Sequence, residues 1–402
     1  MLANPTLTAR PIYLDNHATT RVDPRVLAAM TPYFLEEYGN AGSVGHLFGE
    51  AARDAVEQAR TSIATAVGAE ANEIVFTSGA TESNNLAIRG VLQQRRRRGD
   101  HVVSVTTEHK AVLDPLAKWA RKGFDVTLLS PQQQGADHAG QIDPQQVADA
   151  LRDDTALVTI MAANNEIGVL QPLAEIGRIC RERGVPFHCD ATQSVGKIPL
   201  DFDALGVDLA SFTAHKFYGP KGCGALYVRR SGKRIRLEPQ IDGGGQERGV
   251  RSGTLNVPGI IGMTSALQLC LAEITTEIPR QAALRDQLLV GLQTAIEGVT
   301  LNGPLCTPPL RLAGNLNVSL AGVDGEALMM NVREIAVSSG SACTSANPEP
   351  SHVLQAIGLS EDATRSSLRF GLGRFNTADD IEFAVTHVAA AVTRLRKMVK
   401  PT

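Results

Sequence analysis

The chain reads as an α/β protein: a large unit built on seven strands in a mainly parallel sheet, followed by a smaller α+β unit. Three observations point there. From residue 50 onward, helical apolar spacing alternates with short β-branched runs, the rhythm of a parallel sheet covered by helices on both faces. After about residue 258 that rhythm gives way to a long helical stretch and then to mixed short elements. The length, 402 residues, exceeds one compact core and implies about two or three packed units at roughly 150 residues each.

Taken in order, Ala52, Ala55, Val56, Ala59, Ile63 and Val67 recur at helix spacing, and 73–77 follows as the first strand. Further strands are expected at 101–106, 124–129, 155–161, 185–189, 207–212 and 223–229. A helix over 172–183 is closed by Gly184. Arg95 to Arg98, just before Gly99, read as the solvated end of a helix. In the long helical stretch Pro279 predicts an interruption, and the chain ends in a helix over 378–397. The expected division is 17–262 for the large domain, with 1–16 and 263–402 forming the small one, joined rigidly by the long helix.

Composition narrows the function. Lys and Arg number 39 against 42 Asp and Glu, a net charge of −3, so no basic excess exists to neutralise a phosphate backbone, and nucleic acid is not an expected partner. Hydrophobic residues make up 43% and charged residues 20%, the balance of an ordinary globular protein. Continuous apolar runs such as 157–163 fall short of the roughly 18 residues of a membrane span, and the N-terminus lacks a hydrophobic signal core, so a cytoplasmic protein is expected. Six scattered cysteines without CxxC pairs speak against a disulfide framework and a structural zinc site.

Ligands of open parallel sheets sit beyond the carboxyl ends of strands. After Thr77 comes Ser78-Gly-Ala-Thr81-Glu-Ser-Asn-Asn85, a glycine turn opening a helix, with free N–H groups that can hold a phosphate. It lacks the spacing of dinucleotide and P-loop sites, which lowers a dehydrogenase or an ATPase. Asp190 stands just past a buried strand, where an ionised carboxylate needs a partner. His188 and Asp190 lack a third ligand nearby, so no metal is expected. Lys216 follows the next strand, 26 residues after Asp190, a separation that fits one crossover helix. Anion turn, strand-end carboxylate and strand-end amine together are what pyridoxal 5'-phosphate needs.

The segments Tyr13-Leu-Asp-Asn-His-Ala-Thr-Thr20, Thr77-Ser-Gly-Ala-Thr-Glu-Ser-Asn-Asn85, Thr107-Glu-His109-Lys-Ala-Val112, Asn164-Asn165-Glu-Ile-Gly168 and Ala214-His-Lys216 go further. So do Gly243-Gly-Gly-Gln-Glu-Arg-Gly249, Arg251-Ser-Gly-Thr254, Ser338-Ser-Gly-Ser-Ala-Cys343-Thr-Ser345 and Leu368-Arg369-Phe370. From about residue 12 to 397 the chain resembles the cysteine desulfurases, pyridoxal-phosphate enzymes of the class V aminotransferase family with the fold type I architecture. The SSGSACTS loop is its most specific part, and it resembles the group serving iron–sulfur cluster assembly and nitrogen fixation.

The resemblance implies roles. Lys216 matches the Schiff-base lysine and general base; His109, the histidine stacked on the ring; Asp190, the carboxylate on the pyridine nitrogen. Gln193 and Asn165 match residues at the phenolic oxygen and on the substrate's side. Ala80, Thr81, Thr213 and His215 match phosphate contacts, with Thr213 where many relatives carry Ser, and Thr254 matches one reaching across from a second subunit, which implies a homodimer. Arg369 matches the arginine holding the substrate carboxylate. Cys343, in a polar loop with Pro348 and Pro350 behind it, matches the thiolate that takes sulfur from L-cysteine as a persulfide, leaving alanine. Such a loop is expected to be mobile and exposed. The sulfur then passes to an acceptor protein such as an iron–sulfur scaffold. The chain closes at Pro401-Thr402 without the longer C-terminal tail through which some relatives dock that scaffold, so the resemblance does not carry that route over. A selenocysteine or cystine lyase on the same fold would need Lys216 and Asp190 but less of Cys343.

Overall fold

A computed structural model of the protein describes residues 11–94, 99–232, 235–307, 309–339 and 350–398. The Arg95 to Arg98 run, Cys343 and Pro348 lie outside the described residues.

All seven expected strands join one sheet. In spatial order they are Ile74–Thr77, Gly224–Val228, Leu209–Thr213, Phe187–Asp190, Thr155–Thr159, His101–Val105 and Asp125–Leu129. They run parallel except for Gly224–Val228, which is antiparallel to both neighbours. All these strands except Asp125–Leu129 are buried on both faces, so their side chains alternate between two cores. Phe76, Val103, Phe212 and Tyr227 enter the core shared with the helix Leu47–Ala66. Val75, Val102, Leu209 and Leu226 enter the one shared with the helices Ala80–Gln94 and Lys110–Ala120.

Two connections differ from the sequence reading. No helix crosses between Asp190 and Lys216; the chain passes from Phe187–Asp190 to Leu209–Thr213 through turns alone. The layer is already filled there: a side chain on Gly196 would meet Phe217 and Cys270, and one on Gly177 of the helix Leu173–Arg183 would strike the carbonyl of Leu205. Nor does Pro279 interrupt its helix, which runs unbroken for 39 residues over Val257–Ala295. The backbone hydrogen bond that proline forfeits is offset by packing at both ends of the helix. Met263, Ala266, Leu267 and Cys270 lie in the core beneath the sheet, and Leu284, Leu288 and Leu292 in a second core. By length and composition this helix is apolar enough to cross a membrane, which a search for continuous apolar runs misses; 50% of its apolar window is buried inside the protein, as in a core helix.

The second core lies against an antiparallel sheet in the order Ser338–Ser339, Ser367–Gly371, Asn315–Leu320, Val299–Leu301, covered by the helix Ala378–Met398. Ile12–Tyr13 pairs in parallel with Ile335–Ala336 beside it. Leu14 is buried in this core, yet Thr20 donates its N–H to the carbonyl of His215. Residues 14–20 thereby lead from the second core to the carboxyl ends of the large sheet.

One buried ion pair fixes the rim of that sheet. Arg60 grips Glu247 through two bonds of 2.8 Å, lies over the ring of Phe76, and is 3% exposed. Glu247 also accepts the N–H of Phe76 at 2.7 Å, which holds Glu247 and Arg248 in the left-handed region at φ 47 and 57. Removing one partner strands a buried charge. Arg60→Ala is therefore expected to lower the unfolding free energy by about 3–5 kcal/mol, read from the urea midpoint of the purified protein. A loss under about 1 kcal/mol would mean the pair behaves as a solvated surface bridge.

Candidate active site

Thr77, Asp190 and Thr213 end three parallel strands and so open on the same edge of the sheet. Thr77 and Thr213 both stand in register with Gly224, one on each side. A Cβ on Gly224 would lie 2.6 Å from the Cα of Gly79, so only glycine lets the turn settle onto the strand. The turn opens the helix Ala80–Gln94, and among the described residues the N–H groups of Ala80 and Thr81 have no hydrogen-bond acceptor. Ser78 donates its N–H to Glu82, which pairs with Arg251 at 2.8 Å and ties the turn to the segment bearing Thr254. Thr254 itself is exposed. Thr213 donates its hydroxyl to the carbonyl of Cys223 at 2.9 Å, and its oxygen lies 3.6 Å from where a Gly79 Cβ would stand. His215 meets the hydroxyl of Thr19 at 3.0 Å through Nδ1, which leaves Nε2 available.

Asp190 is buried, and its expected partner is not a cation of the chain. Asn84 donates to Oδ2 at 2.7 Å and the Thr192 N–H donates to Oδ1 at 2.9 Å. The helix that begins at the anion turn thus also supplies Asn84, three residues beyond Thr81, a link that local spacing did not reveal. Lys216 ends a short turn of 3₁₀ helix after Thr213, and its Nζ donates to the carbonyls of His17 at 2.7 Å and Ala18 at 2.6 Å. Burial and the nearby Arg369 guanidinium lower its ammonium to about 8, against an opposing pull from Asp15 and Asp190.

His109 caps the helix Lys110–Ala120, its Nδ1 accepting the N–H of Ala111 at 3.0 Å, so the neutral ring carries its proton on Nε2. The residue is exposed at the cleft, yet desolvation by the surrounding protein lowers its pKa below the ordinary histidine value. Gln193 donates to the carbonyl of His17 at 2.9 Å. Arg369 donates to the carbonyl of Asn165 at 3.1 Å, to Asp15 at 2.7 Å and to Ser338 at 2.9 Å. Asp15, Ser338, His17 and Asn84 are members of the site that sequence reasoning assigned no role. Asp15 and His17 stood in the Tyr13 to Thr20 segment, but nothing local marks which side chain they reach.

The donor set fits pyridoxal phosphate: free N–H groups at a helix start for the phosphate, a buried carboxylate for the ring nitrogen, and an amine of lowered basicity for the aldehyde. Six buried polar atoms on the same segments have no partner among the described residues: His17 Nε2, Asn84 Oδ1, Thr107 Oγ1, Glu108 Oε2, Thr192 Oγ1 and Arg369 Nε. Buried groups of this kind are ordinarily satisfied, so their gathering marks a surface made for a polar ligand. No cluster of three or more metal-ligating side chains occurs among the described residues.

Comparison with known proteins agrees. The family model described as Aminotransferase class-V matches residues 12–383. A cysteine desulfurase IscS of Anaeromyxobacter sp. (strain K) is 57% identical over 388 residues, 96% of this chain and 94% of that protein. Another, of Glaesserella parasuis serovar 5 (strain SH0165), is 51% identical over 390 residues, with the same shares covered. Among solved structures, a NifS-like protein has a TM-score of 0.87 at 35% identity, covering 96% of this chain and 100% of that one. A structure described as SspA in complex with cysteine has a TM-score of 0.77 at 36% identity, covering 91% of this chain and 100% of that one.

The geometry of the turn is directly testable. Gly224→Ala should force Gly79 off the strand, cost roughly 1–3 kcal/mol of stability in chemical denaturation, and weaken capture of pyridoxal phosphate by the apoprotein. Unchanged affinity would show that the turn and the cofactor are independent.

Proposed function

The chain belongs to the class-V aminotransferase family and is a pyridoxal-phosphate-dependent cysteine desulfurase, a premise from which we propose how its residues divide the work. Ala80 and Thr81 through their N–H groups, with Thr213 and His215, would hold the phosphate; Asp190 would face the ring nitrogen; Gln193, His109 and Asn165 would border the ring; and Lys216 would carry the aldehyde carbon. When bound, the cofactor supplies an electron sink that makes the Cα proton of L-cysteine removable.

Arg369 receives the substrate carboxylate. Asp15 and Ser338 hold one edge of its guanidinium, and Nε has no partner among the described residues. Once the substrate amine has displaced it from the aldehyde carbon, Lys216 Nζ would take the Cα proton, and a lowered ammonium pKa suits that task near neutrality. His109, neutral with its proton on Nε2, would donate a hydrogen bond from that nitrogen into the cleft. Cys343 attacks the substrate sulfur as thiolate: the Cβ–S bond breaks, an S–S bond forms on Cys343, and alanine is left. The persulfide then passes to an acceptor protein, which we take to be an iron–sulfur scaffold, in the cytoplasm.

We propose a homodimer in which Thr254 completes the partner's phosphate site. Support comes from one stretch of surface: Leu27, Phe34, Leu35, Tyr38, Val44, Leu47 and Phe48 are all large apolar residues left exposed within the segment 24–48. We also propose the domain division 17–262 against 1–16 with 263–402, the long helix feeding both cores.

The observation that carries the reading is the Lys216 amine, half-buried just past a strand end and held by two carbonyl oxygens. Because the group loses its proton above about 8, capture of pyridoxal phosphate by the apoprotein should quicken as pH rises from 7 through 8 and level off beyond. Stopped-flow absorbance measures this; a rate flat across that range would contradict the lowered amine. Lys216→Ala should abolish turnover. Cys343→Ser should still give a coloured complex with L-cysteine yet form almost no persulfide, and normal desulfuration by that variant would overturn the nucleophile assignment.

A further inference from the structure

A small cavity of about 40 Å³ is lined by His17, Lys197, Tyr218, Cys270, Glu277 and Arg374 among others. Lys197 stands four residues beyond Gln193 and donates its Nζ to Gln193 Oε1 at 2.7 Å. His17 Nδ1 lies 3.1 Å from the same oxygen. The carbonyl end of the amide is thus taken twice. Its nitrogen donates one N–H to the carbonyl of His17 at 2.9 Å and has a second N–H to spare.

We propose that Lys197 is a positioning residue for the cofactor: its bond to Gln193 Oε1 holds the amide with the spare N–H turned toward the phenolic edge of the ring. The inference rests on the reading that Gln193 borders bound pyridoxal phosphate.

Lys197 has no carboxylate partner within ion-pairing distance among the described residues, and Gln193 is the one hydrogen-bond acceptor described for it. A half-buried lysine with no ion-pair partner among the described residues and its amine turned onto a neighbouring amide points to a local task for that amine. The groups acting on it are few. Burial, then the ammonium of Lys216, and to a lesser degree Arg369, lower its pKa to about 7 against an opposing pull from the Cys270 thiol. His17 is held neutral by its own burial, so it adds no charge and can donate from Nδ1 to Gln193. Glu277, Tyr218 and Arg374 complete the wall. An amide gripped this way cannot flip, whereas without Lys197 one of its two fixing donors is gone.

The test uses apoprotein reconstituted with pyridoxal phosphate, without L-cysteine, in wild type, K197M, K197R, Q193L and K197M/Q193L. Two quantities are read: the dissociation constant of the cofactor and the pH midpoint of its visible absorption band. K197M is expected to weaken binding roughly tenfold, the worth of one good hydrogen bond. The midpoint should rise by about half a unit or more, because a donor and a positive charge both leave the phenolic side. K197R should stay within about twofold of wild type, and K197M should add nothing once Gln193 is Leu. Wild-type values in K197M, or an equal change in both backgrounds, would mean that Lys197 does not act through Gln193. If K197M fails to fold, K197Q replaces it, with affinity retained and the midpoint still raised. A wild-type protein that traps no cofactor at Lys216 under borohydride would instead bring down the cofactor reading itself.

Discussion

Two peptide carbonyls, those of His17 and Ala18, hold the Lys216 amine, and among the described residues no carboxylate ion-pairs with it. Carbonyl dipoles orient an ammonium without cancelling its charge, so burial and Arg369 remain free to weaken its hold on the proton. Those carbonyls belong to the stretch that follows Ile12–Tyr13, whose pairing with Ile335–Ala336 anchors it beside the second core. Arg369 comes from Ser367–Gly371 in the small sheet, whereas Lys216 follows the large sheet. The reactive amine at the end of the large sheet is therefore placed by the backbone of the segment that follows Ile12–Tyr13 and by a charge borne on the small sheet.

The charges around that amine are few by construction. Desolvation pushes His17, His109, His188 and His215 below the ordinary histidine range, His188 and His215 to about 4. They act near neutral pH as hydrogen-bonding rings, not as further cations beside Lys216 and Arg369. Glu108 shows the complementary effect: wholly buried and facing the field of Asp190, its carboxyl is pushed well above the usual range. A second ionised carboxylate there would compete with Asp190 for whatever cation the pocket receives. Its Oε1 accepts the N–H of Met161, so the neutral acid still has a structural bond.

Rigidity comes from elements remote from the chemistry. The helix Val257–Ala295 is built into both cores. Arg60 and Glu247 lock the 243–254 segment against Ile74–Thr77, and Glu82 with Arg251 locks it to the anion turn. Both ion pairs are held by bidentate or paired hydrogen bonds, the arrangement in which burying charge is tolerable.

Much of this was written in local pattern. Seven strands, the glycine turn after Thr77, the stop at Gly184 and the strand-end positions of Asp190 and Lys216 follow from apolar spacing, β-branching and glycine placement, which act over a few neighbouring residues. Other features needed the packed chain. The crossover without a helix, the unbroken passage through Pro279, Asn84 on Asp190, Asp15 and Ser338 on Arg369, and Lys197 closing on Gln193 are examples. Periodicity reports which face of an element is apolar. It does not report which polar atom, 354 residues away in the case of Asp15 and Arg369, is brought within hydrogen-bond reach when those faces meet.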